Sequence, residues 1–133
     1  MTKYLAAYAA TIVVFAALDF LWLGLIAKSI YQQGIGHLMA DRPNFIAATL
    51  FYAMFAVGLM VFAVAPGGSS TGWDKTLLTA TLLGFFAYAT YDLTNLATLK
   101  NWPINLTILD MVWGIVLSVV ATSAGQVVWD RFA

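Results

Sequence analysis

Three aspartates fall inside apolar stretches of this chain: Asp19, Asp92 and Asp110. The most polar of their settings is Tyr91-Asp92-Leu93-Thr94-Asn95, where a carboxylate and a carboxamide sit three residues apart on one helix face, in a run that otherwise reads as membrane-buried. A carboxyl group at membrane depth can do two kinds of chemistry. It can take and return a proton, as acid, base or relay, or it can receive the polar head of a ligand. An ionised Asp at the centre of a spanning helix costs roughly 2.5–3.5 kcal/mol even on the mild insertion scale. Like charges oppose one another's ionisation. If the three acids meet, at least one is therefore expected to keep its proton at neutral pH, or a cation is shared. Asp92, Asp110 and Asp19 are the candidates for any catalytic role.

The elements that must position these groups are apolar helices. Of 133 residues 62% are hydrophobic and 9% charged, where a soluble domain carries about 25% charged residues. The length leaves room for one transmembrane domain spanning 1–133. Four segments are predicted, at about 4–26, 44–65, 76–99 and 104–128, giving an all-α integral membrane four-helix bundle with short loops and one longer interfacial connection. The first segment is longer than a signal-peptide core and carries Asp19 and Trp22 at its far end, so it reads as a retained span. The second has no ionisable residue and is apolar all round, a lipid-facing support.

The connection 27–43 mixes Ile30, Tyr31, Ile35, Leu38 and Met39 with polar side chains, so it is expected as a short amphipathic turn on the membrane surface, broken at Gly34 and Gly36. Asp41-Arg42-Pro43 reads as a helix start. The stretch 66–72 is a short flexible turn, and Thr71 with Asp74 resembles a capping pair. Lys100-Asn101-Trp102-Pro103 is a tight turn that makes the last two segments antiparallel neighbours. Gly114, Ser118, Ala121 and Gly125 form a small-residue stripe suited to close helix packing, with Ala80 and Gly84 on the third segment. Trp73 and Trp102 read as interface anchors.

Depth brings the acids together. Asp19 and Asp92 lie seven residues from the ends of their segments, and Asp110 lies six from the start of its own. At 1.5 Å per residue each is about 9–11 Å inside the face that holds the 27–43 connection. A pocket opening to that face is expected, with Asp19, Trp22, Tyr88, Tyr91, Asp92, Asn95, Asn105, Asp110 and Trp113 around it and Lys28, His37 and Lys100 at its mouth. The plainer alternative stays open: buried polar groups often only tie helices together, at about 0.6 kcal/mol each.

Several classes are excluded or unsupported. Six basic residues scattered singly, with a net charge of zero, give no patch for nucleic acid. There is no Cys, so no disulfide and no thiolate metal site. No segment carries paired His or the Glu-x-x-His spacing of metal-binding bundles, and P-loops, Rossmann glycines and nucleophile triads are absent, so neither metal nor cofactor is expected. Lys3, Lys75 and Arg131 on one side balance Lys28, Arg42 and Lys100 on the other, so the positive-inside rule gives no orientation. Four spans put both termini on one side.

The motifs Asp19-Phe-Leu-Trp22-Leu-Gly24, Tyr91-Asp92-Leu-Thr-Asn95-Leu-Ala-Thr98, Trp102-Pro103 and Asp110-Met-Val-Trp113-Gly114 resemble a family of small predicted bacterial membrane proteins catalogued only as a domain of unknown function. The resemblance spans nearly the whole chain. It implies a four-helix inner-membrane protein and supports singling out Asp19, Asp92 and Asp110, and it carries no activity or cofactor. Three functions fit the residues: a pocket that binds or processes a lipid or other apolar molecule, a proton-coupled transporter acting as a homo-oligomer, and an assembly subunit whose acids pair with a membrane-protein partner.

Overall fold

A computed structural model describes residues 1–67 and 72–132. All regular structure among them is helical. Helix α1 runs Thr2–Ile26 and α3 runs Phe45–Gly67; each includes one π-helical turn, Trp22–Ile26 and Met60–Val64. The short helix α2, Lys28–Ile35, follows α1 and is closed by a 3-10 turn at Gly36–Leu38. Helices α4, Trp73–Thr98, and α5, Ile104–Phe132, form the antiparallel pair expected from their short turn. In that turn Asn101 takes the left-handed conformation, φ 59°, which Asn tolerates better than most residues.

Three helices, α1, α3 and α5, are long and apolar enough to cross a membrane. Helix α4 has 26 residues, but Asp92, Asn95 and its threonines dilute its apolar character and it is not one of the three. The first two outward faces are built for lipid: Leu5, Val13 and Phe20 on α1 and Ile46, Leu50, Met54 and Val61 on α3 are exposed. Only 17% of the most apolar window of either helix is buried, against 39% for α5. Helix α5 is thus the central element, packed on α4 on one side and α1 on the other.

Small residues allow that packing. Gly84 of α4 lies against the Gly114 carbonyl and Ser118 of α5, where a Cβ would collide with both. Buried aromatic and aliphatic side chains fill the space between α1, α3 and α5, with Phe15, Leu59, Leu117 and Ala121 at the centre. Phe15 meets Tyr52 edge-on at 5.5 Å.

Some local expectations shift. The α3 helix starts at Phe45, not at the Asp41-Arg42-Pro43 stretch, because the Asn44 side chain accepts the Ala47 N–H at 3.1 Å and caps the first turn. Gly34 does not break α2; it lies inside the helix, where a side chain would press on Pro103 and Leu106. Trp102 is 7% exposed and donates to the Thr107 hydroxyl at 3.0 Å, so the turn tucks it inward. Asp130 stays helical and accepts from Gln126 at 2.9 Å and from Trp73 at 3.2 Å. Of the 66–72 turn, residues 68–71 lie outside the described residues, and with them the Thr71 capping pair.

Candidate functional site

The π turn at the end of α1 leads directly into α2, which folds back so that Tyr31 points into the bundle and packs on Ala27 and Leu106. The Tyr31 hydroxyl donates to Asp110 Oδ1 at 2.5 Å and accepts from Trp22 Nε1 at 3.1 Å. On the other side, Asp19 accepts two donors, the Tyr52 hydroxyl at 2.6 Å and Trp113 Nε1 at 3.1 Å. The two indoles stack face to face, centroids 4.4 Å apart and planes 9° from parallel. The stack couples the two halves: one indole N–H serves Asp19 directly, and the other serves Asp110 through Tyr31. Every donor in this network is neutral.

Between these acids lies a cavity of about 470 Å³. Its polar lining is Asp19, Asp110, Tyr31, Tyr88 and Tyr91; its apolar walls include Leu23, Ile35, Met39 and Phe51. Tyr88 stands within charge range of both Asp19 and Asp110. Burial raises the Tyr31 phenol well above the ordinary tyrosine value, and the hydrogen bond to Asp110 and that carboxyl's charge add to the shift. At neutral pH Tyr31 is therefore a neutral donor.

Asp92 is fully buried but does not line the cavity. It lies beside Asp110 and within charge range of Tyr31 and Tyr91. No hydroxyl or N–H donor among the described residues reaches either of its oxygens, and its polar neighbour is the Asp110 carboxyl. The remaining residues of the expected pocket are placed as follows. Trp113 donates to Asp19 and Trp22 to Tyr31, and neither lines the cavity. Asn95 is half-buried, Asn105 is exposed, and neither is part of the lining. Lys28, His37 and Lys100 are exposed and also stand outside it. Among the described residues no group of three or more His or acidic side chains is placed to hold a metal ion.

Two polar site residues were not singled out from sequence, Tyr31 and Tyr52. Each lay in a segment read by its apolar character, and tyrosine passes as apolar bulk there. The available signal was chemical: a buried Tyr hydroxyl needs a partner, and the buried acids are the natural ones.

Length, apolar surface and helix content together define a helical membrane protein with three candidate spanning helices. A family model described as "Predicted membrane protein (DUF2177)" matches residues 4–127. The chain belongs to that family, whose function is unknown. No curated protein and no solved structure matches the chain.

Proposed function

We propose that this protein is a four-span membrane protein that holds an amphiphile, a lipid or other apolar molecule with a polar head, in the cavity bounded by α1, α2, α3, α4 and α5. The observation that carries the reading is the cavity. Its volume of about 470 Å³ falls in the range of roughly 300–1,000 Å³ typical of small-molecule sites. Apolar walls with a few convergent polar groups are the usual composition of such sites. The polar groups are held in place by the Tyr52, Trp113 and Tyr31 hydrogen bonds, so the site is pre-formed.

In this reading α4 also crosses the bilayer. Its 26 residues cover about 39 Å, more than the hydrocarbon core of about 30 Å. Asp92 is compatible with a span because it faces the bundle and not lipid. Four spans would put both termini on one side of a bacterial inner membrane. An enzymatic version would use Asp110 or Asp92 as acid or base.

The test is native mass spectrometry with lipid analysis on protein extracted gently from its own membrane, beside Asp110→Asn. A defined small molecule bound to the wild type and lost in the variant supports the reading. Absence of any small molecule, with a second protein in the spectrum, would favour the assembly role. Proton flux into vesicles that depends on Asp92 or Asp110 would favour proton-coupled transport.

A further inference from the structure

Resting on the proposed amphiphile site, we infer that the ligand's head is a cationic ammonium group. Asp19 and Asp110 both line the cavity, and among the described residues no Lys, Arg or His does. The protein's own donors to these carboxylates are two tyrosine hydroxyls and an indole N–H. They orient the acids and bring no positive charge. A carboxylate offers about four lone-pair sites, so each acid keeps acceptor capacity for a further donor from the cavity.

Asp92 adds an independent observation. It is fully buried, receives no hydroxyl or N–H donor among the described residues, and lies beside the Asp110 carboxyl behind the cavity lining. Two acids thus line the cavity and a third lies behind Asp110, with no basic side chain in the lining among the described residues. Aromatic rings complete the selection: Tyr88, Tyr91 and Phe51 line the same space, and their faces attract a cation, most strongly where water is excluded. A carboxylate head, or a phosphate head without an ammonium, would meet acids with no basic partner. An alcohol would gain hydrogen bonds alone. An ammonium on an apolar body satisfies both the carboxylates and the walls.

That chemistry has two sources, a free lipophilic amine or the headgroup of an aminolipid, and one experiment separates them. The full chain in a non-ionic maltoside detergent is titrated calorimetrically with dodecylamine, dodecanol and dodecanoate at neutral pH, each referenced to protein-free micelles. Dodecylamine is expected to bind at least about tenfold more tightly than dodecanol, the size of one charge-assisted hydrogen bond, and dodecanoate most weakly. Asp19→Asn and Asp110→Asn should each reduce the amine preference while dodecanol binding persists. A short-chain phosphatidylethanolamine that displaces the amine identifies the lipid headgroup as the source; failure to displace identifies a free amine, and the inference stands in both cases. Equal binding of amine and alcohol by the wild type overturns the cationic head and leaves the amphiphile site intact. No binding of any of the three overturns the amphiphile site itself.

Discussion

Removing the Tyr31 hydroxyl should release α2 while leaving the bundle folded. Helix α2 has eight residues, and isolated helices shorter than about 12–15 residues are marginal, so its docking must supply its stability. Tyr31→Phe keeps the ring between Ala27 and Leu106 and removes only the oxygen. That oxygen makes two hydrogen bonds, one donated to Asp110 at 2.5 Å and one accepted from Trp22 at 3.1 Å. In water-soluble proteins a bond to a charged group contributes about 1.5–3 kcal/mol and a neutral one about 0.5–1.5 kcal/mol. Hydrogen bonds in membrane bundles average only about 0.6 kcal/mol, which pulls the sum down to about 2 kcal/mol. At 1.4 kcal/mol per factor of ten, that is about a 30-fold change in an opening equilibrium. Hydrogen exchange by mass spectrometry is the assay: amides of residues 28–35 should exchange about 30-fold faster in Tyr31→Phe, and those of 114–125 at the wild-type rate. Unchanged exchange over 28–35, or the same rise along the whole of α5, would refute the view that this hydroxyl specifically docks α2.

Three more outcomes are expected. Because burial and Asp110 raise the Tyr31 phenol above its ordinary value, its docked form is the neutral one; α2 docking should persist up to about pH 10, the usual tyrosine value, and weaken as pH rises beyond it. The late amplitude of an alkaline absorbance titration should fall by one tyrosine in Tyr31→Phe, and an unchanged late amplitude would contradict the assignment. Gly114→Ala would drive a Cβ into the Tyr88 ring and should destabilise by about 1–3 kcal/mol; combining it with Tyr88→Ala should recover part of the loss in a thermal melt, and strict additivity of the two would count against the contact. Asp92→Leu removes a buried carboxyl that no hydroxyl or N–H among the described residues reaches and should raise stability by about 1–3 kcal/mol, so a lowered melting temperature would show that its pairing with Asp110 is stabilising.

How far the site could be read from sequence depends on which coordinate is asked for. Depth along a helix follows from a constant rise per residue, so the acids could be assigned a level by counting. Rotation about the axis does not follow so simply. Tyr91 and Asp92 are adjacent in sequence, yet Tyr91 lines the cavity and Asp92 lies behind it. Partner choice was less legible still. Tyr52 lies on a segment with no acid or base, and its bond to Asp19 depends on how α3 packs against α1. The Asn44 cap was written in the sequence as an Asn before an apolar run, but the nearby Pro43 was the stronger signal of a helix start. Lys28, His37 and Lys100 are close to the site in sequence terms, and hydration of their charged or polar tips keeps them outward. In helix α4 hydropathy registers composition and not direction: buried Thr76 and Asp92 and exposed Thr90, Thr94 and Thr98 dilute its apolar character alike.

The π turns in α1 and α3 have a bearing on how the family can change length. Such a turn stores an extra residue in an otherwise α-helical path. Loss of one residue within 22–26 or 60–64 can be absorbed by rewinding that turn as α-helix, with the flanking faces still in register. Helices α4 and α5 have no such turn, and a one-residue loss there would swing everything beyond it by about 100°, carrying Asp92 or Asp110 out of the bundle. Single-residue insertions and deletions among relatives should therefore collect in the two outer helices and be absent from the inner pair.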